Sequence, residues 1–385
     1  MVKLFRFIRL SLFSSFINYQ TTVQRKFPVM MSYKFGFNCL KCSTVAVFLL
    51  FLQPIFAQGR FAEIESTIEA RKKLFGTDLM VTVANKDTVL YQKAFGETNA
   101  RTQVSIGAAS AWFTTVLVLQ LVDEGKISLD DKIVQYIPIF GSYAKNYITI
   151  RHCLTHMTGI ETDPFKQASL TTKRKYSSLE EEVADFAKKE IQNNAGEVFR
   201  YNQMGPTIAA RVVEVVTKKK FDQLMRQRIF APLVMRNTNF TTDDGSVGSP
   251  SNGAKTSVAD FTKFLQMLLN GGTLGGKKIL SPEAIAEMKK IQVPRELIKA
   301  SAKGMENYLH TLGVWSVDET AENVGATSSV LASPGFLGTW ASVDFKKGYA
   351  IIVLPKTFTG EQKIENYLEL KELLDQIPPG VFKGK

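Results

Sequence analysis

Apolar residues recur along this chain at one of two periods, and the period changes along its length. Phe61, Ile64, Ile68 and Leu74 fall at roughly helical spacing, which predicts an amphipathic helix over residues 60–75. Leu79-Met-Val-Thr-Val-Ala and Thr88-Val-Leu-Tyr-Gln-Lys-Ala-Phe read as two strands around an Asn85-Lys-Asp turn. Between about 109 and 124, Trp112, Phe113, Val116, Leu117, Val118, Leu119, Leu121 and Val122 leave almost no polar face. Such a helix belongs in the middle of a domain, and Gly125 ends it. Thr149 is placed to cap a short helix around Arg151–His156, closed near Gly159. Residues 160–178 are polar and irregular. Leu179 to Gln192 reads as a charged helix, Gln203–Thr217 as a more apolar one, and Phe221–Phe230 as further helix before Pro232. Ser257 caps an amphipathic helix from Val258 to Leu269, and Ser281 followed by Pro282 opens another.

The tail returns to strands. Leu309–Trp315, Ser328–Leu331, Thr339–Asp344 and Tyr349–Leu354 alternate or run apolar, Phe345-Lys-Lys-Gly is a turn, and Glu361–Gln376 is a closing helix. Two strands come first, helices fill the middle, and three or four strands with a helix come last. This order predicts an α/β (α+β) fold with an antiparallel sheet built from both ends of the chain. The sheet part spans about 58–105 and 300–385, and a helical subdomain of about 106–299 is inserted between them.

Composition fits a globular chain: 45% hydrophobic residues, 22% charged and a mean hydropathy of −0.03. The net charge of +12 is misleading as a nucleic-acid signal. Residues 1–57 hold seven lysines and arginines and no acid, so +5 remains on the rest, and no basic stripe interleaved with aromatics appears. Lys34 and Lys41 precede the apolar run Val45–Leu52, followed by Pro54 and Ile55-Phe56-Ala57. That is a targeting segment with an n-region, an h-region and a cleavage site, and it implies export to the periplasm or medium. The true start then falls at Met30 or Met31; an uncleaved N-terminal anchor is the alternative. The h-region is too short for a comfortable membrane span. Cys39 and Cys42 lie in this segment, and Cys153 reads as a small buried hydrophobe, so no disulfide framework is expected.

Three motifs invite chemistry and carry little. His152 and His156 are four apart, a ligand-pair spacing on a helix, but no third ligand accompanies them, and no metal is expected. Gly271 to Lys277 fits a phosphate-loop spacing, yet Lys278 replaces the required hydroxyl residue and the segment follows a helix; it reads as a turn. Glu180-Glu-Glu and Lys218-Lys-Lys read as solvated faces. No cofactor is expected.

Four ordered stretches carry a family resemblance. They are Leu119-Gln-Leu-Val-Asp-Glu-Gly-Lys-Ile-Ser-Leu-Asp-Asp, Ile148-Thr-Ile-Arg-His-Cys-Leu-Thr-His-Met-Thr-Gly-Ile, Ala231-Pro-Leu-Val-Met-Arg-Asn-Thr and Ala259-Asp-Phe-Thr-Lys-Phe-Leu-Gln-Met-Leu-Leu-Asn-Gly-Gly. From about residue 60 to 375 the chain resembles the serine β-lactamase and penicillin-binding-protein family, in particular its class C-like esterase and D-amino-peptide hydrolase branch. The resemblance implies a transpeptidase-like sheet flanked by helices, beside a helical subdomain, with a cleft between them. The chemistry it implies is acyl transfer: a serine attacks, a lysine and a tyrosine manage the proton, and backbone N–H groups hold the oxyanion.

This chain departs from all three motifs of that chemistry. At Ser-x-x-Lys it has Ala108 and Ala111. At Tyr-x-Asn it has Tyr201-Asn202-Gln203, so the tyrosine remains and Gln203 replaces asparagine. At Lys/His-x-Gly it has Ser333-Pro334-Gly335, so the cation is gone and Gly335 stays. The resemblance implies that these six positions line the cleft and that the oxyanion donors are the amides of Ala108 and Phe336. Ser110, two residues from the nucleophile position, is about 200° around the helix and points away. Ser333 is the one substitute nucleophile the pattern offers, with Tyr201 as its base. The expectation is a catalytically inactive relative that binds a peptide, cell-wall fragment or protein partner and no nucleic acid. The alternative is an active esterase, D-amino-peptidase or β-lactamase with a non-standard residue set.

Overall fold

The computed structural model describes residues 61–162, 176–242, 245–335, 337–357 and 364–383. The segment expected to direct targeting, most of the 160–178 stretch and Phe336 lie outside them. Helix α1 covers residues 61–70 and is extended by the turn Lys72–Phe75. Strands β1 (Leu79–Asn85) and β2 (Val89–Phe95) follow. The turn between them is tied by the Asn85 side chain, whose Oδ1 accepts the N–H groups of Asp87 and Thr88. A short β3 (Val104–Ser105) leads through one 3₁₀ turn, Gly107–Ala109, into α2 (Ser110–Asp123). Gly125 ends that helix at φ +65°.

The helical middle comprises α3 (Ile150–Leu154), α4 (Leu179–Lys188), α5 (Met204–Thr217), α6 (Phe221–Met225), α7 (Val258–Leu269) and α8 (Pro282–Lys289). Ser178, Ser257 and Ser281 cap α4, α7 and α8 by accepting the N–H three residues on. Short strands β4 (Phe199–Arg200) and β5 (Lys255–Thr256) lie between these helices. The phosphate-loop-like glycines close a tight hairpin between β6 (Thr273–Leu274) and β7 (Lys277–Lys278), with Gly275 and Gly276 both at positive φ. The chain then forms β8 (Ile298–Ala300), β9 (Leu309–His310), β10 (Trp315–Ser316), β11 (Val330–Pro334), β12 (Trp340–Asp344), β13 (Tyr349–Pro355) and α9 (Ile364–Asp375).

Seven strands make one antiparallel sheet in the order β2-β1-β13-β12-β11-β10-β9, so early and late strands pair inside it, β1 against β13. Every residue of β1, β11, β12 and β13 is buried, because both faces of the sheet are covered. Alternation sorts the side chains. Met80, Leu331, Ala341 and Ile352 join the core shared with α2, α5 and α7. Val81, Val83, Ala332, Trp340 and Ile351 join the core shared with α1 and α9. Helix α2 is buried from Ser110 to Leu121, as its all-round apolar pattern requires. Phe113 meets Phe230, Phe261 and Phe264 edge to face.

Four elements differ from the periodicity. Leu309–Trp315 is not one strand: Gly313 at φ +72° and the Thr311 N–H on the Val314 carbonyl fold it into the β9–β10 hairpin. Helix α4 stops at Lys188 instead of Gln192, because Ile191 is drawn into a bridge with Ile160. The end of Phe221–Phe230 widens into a π turn at Arg226–Phe230, with the Ala231 N–H on the Arg226 carbonyl. Helix α3 ends at Leu154, two residues before His156, which sits at φ +55°.

Candidate functional site

The three motif segments sit at the ends of regular elements: the turn before α2, the link from β4 to α5, and the end of β11. Ala108 occupies the 3₁₀ turn at the head of α2 and is half-buried, while Gly107 and Ala109 on either side are buried. Ala111 is the second residue of α2 and is 5% exposed; its carbonyl accepts the Thr115 hydroxyl. No described carbonyl accepts the Ala108 N–H. Ser110 is fully buried and committed to the backbone. Its hydroxyl donates to the Gly107 carbonyl at 2.5 Å and accepts the Ala254 N–H at 2.9 Å.

The closing strand approaches this turn directly. Ser333 and Pro334 end β11, and Gly335 follows. A β-carbon on Gly335 would meet the Ile106 carbonyl oxygen at 2.3 Å and the Thr339 β-carbon at 2.9 Å. Only glycine lets β11 lie this close to the backbone that carries Ala108. Ser333 is 4% exposed and pairs with Ala341. Its hydroxyl makes no hydrogen bond to Tyr201, and none to any other described residue. Phe336, whose amide was expected to be the second oxyanion donor, is outside the described residues.

Tyr201 is held by its backbone and by rings. Its N–H donates to the Ala300 carbonyl at 2.8 Å. Its ring lies 4.6 Å from that of His156 and 5.7 Å from that of Trp315, which sits opposite Ala332, the neighbour of Ser333. The hydroxyl has no hydrogen-bond partner among the described residues, and burial pushes it up to about 12. Asn202, buried beside it, is structural: its Oδ1 accepts the N–H groups of Met204 and Gly205 at the start of α5, and its Nδ2 donates to the Arg200 carbonyl. Gln203 is half-buried, with its carboxamide unpaired among the described residues.

The two histidines of the apparent ligand pair are turned to different tasks. His152 Nδ1 accepts the Thr149 N–H while Thr149 Oγ1 accepts the His152 N–H, a reciprocal cap for α3. His156, beyond the helix end, packs on Tyr201. The same-face geometry expected of them is absent because the helix does not reach His156. Cys153 is fully buried, and burial pushes its thiol up.

The beta-lactamase family model matches residues 64–374. The chain belongs to the beta-lactamase family. Protein flp of Staphylococcus aureus strain MW2 is 27% identical over 145 residues, covering 36% of this chain, and the chain spans only 28% of that relative's length. A candidate D-alanyl-D-alanine carboxypeptidase of Salmonella typhimurium is 23% identical over 311 residues, 66% of this chain and 69% of the relative. Among solved structures, a candidate beta-lactamase from Bacteroides dorei is 26% identical with a TM-score of 0.71, covering 82% of this chain and 98% of the other. A family VIII carboxylesterase, 17% identical, has the same fold, with a TM-score of 0.68 over 83% of this chain and 98% of the other. The fold is therefore β-lactamase/transpeptidase-like, and the family is one of serine hydrolases.

One part of this beta-lactamase-family site escaped the motifs. His310, fully buried on β9, lies 5.0 Å ring to ring from both His156 and Trp315. Phe199 completes the cluster. Neither ring nitrogen of His310, nor Nε2 of His156, makes a hydrogen bond of normal geometry. Burial keeps both imidazoles uncharged, His156 pushed down to about 3 and His310 well below its usual range. The only trace of this cluster in the sequence is that it holds two of the three histidines in the chain.

Proposed function

We propose that this chain is a member of the beta-lactamase family without acyl-enzyme chemistry, binding a peptide or cell-wall-derived ligand in the cleft lined by Ala108, Ala111, Tyr201, Gln203, Ser333 and Gly335. The observation that carries the reading is the state of the hydroxyls around Ala108. Alanine stands where the family resemblance implies a nucleophile, and the adjacent Ser110 is locked between two backbone groups. Loss of a nucleophile alone costs on the order of 10⁶-fold in turnover. Ser333 does not restore it, because Tyr201 does not bond to it and a phenol pushed up to about 12 is a poor base at neutral pH. The free Ala108 amide is what favours binding: a backbone donor needs no side chain to hold a carbonyl.

Fluorescent penicillin and an activated ester test the proposal. The expected result is no covalent adduct by mass spectrometry, together with a rise in melting temperature with a D-alanyl peptide. An adduct that disappears in Ser333→Ala would overturn the proposal in favour of altered hydrolysis. Export is part of the same reading, supported by the basic and apolar patterning of residues 34–57. N-terminal sequencing of the protein recovered outside the cytoplasm tests it. No helix among the described residues is long and apolar enough to cross a membrane.

A further inference from the structure

Resting on the reading above, we infer that this cleft recognises an uncharged amide or ester carbonyl, held by the Ala108 amide and the Tyr201 and Ser333 hydroxyls, and not a ligand carboxylate. The family motifs imply two cations here, and this chain has Ala111 and Ser333 in their places. What remains is a set of neutral donors: one backbone N–H, one phenol, one hydroxyl and the Gln203 carboxamide, with the last three unpaired among the described residues. A carbonyl oxygen accepts two or three such bonds, and a carboxamide can both donate to and accept from an amide ligand.

Among the described residues, no ionised group compensates at Tyr201. The loop after α3 presents His156, and β9 presents His310 behind it; burial keeps both uncharged. From β10 comes Trp315. On β4, the half-buried Arg200 turns its Nε to Asn193. On β8, Lys299 is exposed to solvent. The head of α2 adds only a partial charge, enough to polarise a carbonyl but too little to offset the desolvation of a full carboxylate. With none of the described groups around Tyr201 taking up or releasing a proton, affinity has no linkage to pH across the neutral range. With no full charge on the described residues that pack against Tyr201, it also has little dependence on salt.

The test is calorimetric titration of the full chain with N-acetyl-D-alanyl-D-alanine and with its C-terminal methylamide. The D-alanyl scaffold is chosen because a relative bears a D-alanyl-D-alanine carboxypeptidase name. The methylamide is expected to bind about tenfold more tightly than the free acid. Its Kd should move by less than about twofold between pH 6 and pH 8.5, or between low and high salt. Ser333→Lys should reverse the preference by returning a cation to the strand. Tighter binding of the free acid by the unaltered protein, a Kd that follows a titration, or a preference indifferent to Ser333→Lys would overturn the inference. Binding of neither probe would overturn the ligand-binding proposal itself, and this inference with it.

Discussion

Gly335 and Ile106 touch through backbone alone: a β-carbon on the glycine would lie 2.3 Å from the isoleucine carbonyl oxygen. The contact joins the end of β11 to the turn that carries Ala108, and neither partner is a flexible side-chain tip that could swing aside. Gly335→Ala must therefore shift the strand or the turn. The expected loss is about 1–3 kcal/mol of stability, typical of overpacking. Denaturant unfolding measures it, and an unchanged midpoint would show that the approach is looser than described.

Ser110→Ala removes the donor to the Gly107 carbonyl and the acceptor for the Ala254 N–H in a fully buried setting. The expected cost is about 1–3 kcal/mol, because the Ala254 amide is left without its partner. Reactivity toward acylating probes should stay at the level of the unaltered protein. A Ser110→Ala protein of unchanged stability would contradict the structural role given to this hydroxyl.

On the reading proposed above, a serine at position 108 and a lysine at 111 should together supply acylation chemistry. Ala108→Ser with Ala111→Lys supplies a nucleophile and a cation at the positions where the family resemblance implies them, and a cation close to Tyr201 would lower its phenol from about 12. The expected outcome is slow covalent acylation by an activated ester, seen by mass spectrometry. Ala108→Ser alone should react at least about tenfold more slowly, since such groups act as a unit. Equal rates for the single and double variants would refute that dependence.

Acid should destabilise the protein through His156 and His310. Both are uncharged when folded, one at about 3 and the other well below its usual range, whereas in the unfolded chain they protonate below about pH 6.5. The unfolded state thus binds more protons as pH falls, and stability is lost between pH 6.5 and the folded values. Above that window the contribution is flat. Two such groups give a slope of about 2.7 kcal/mol per pH unit. His310→Leu should remove about half of it, read as the difference between the two proteins' denaturant midpoints from pH 7 to pH 4. Parallel curves for the two would exclude His310 as a source.

Much of this architecture is written in the local pattern. The all-round apolar run at 112–122, the capping residues Thr149, Ser257 and Ser281, and the turn at Asn85 each appear where the residues indicate. Long-range competition decided the misses. Leu309–Trp315 has strand composition throughout, but Gly313 approaches α2 so closely that a β-carbon there would strike Thr115 Oγ1, and the strand folds back. His156 had the spacing of a helical ligand and ended outside the helix, against Tyr201. Ala108, Ala111, Gln203 and Ser333 were singled out as site positions by the motif resemblance alone. The aromatic box around Tyr201 was not, because Phe199 and the hairpin that carries His310 and Trp315 come from distant segments that only the fold brings together.

The position of β1 between β2 and β13 bears on how the chain is made. Leu79 pairs with Pro355 and Asn85 with Tyr349, so an interior ladder of the sheet joins segments from opposite ends of the sequence. As the chain is synthesised, β1 and β2 emerge early as a hairpin with one edge unpaired. That edge must wait for nearly all the remaining residues before it is covered. Such long-range closure is slow and leaves a strand open to wrong pairings. Chains halted after residue 330 should remain protease-sensitive in β1, whereas release of β13 should confer protection in a single step.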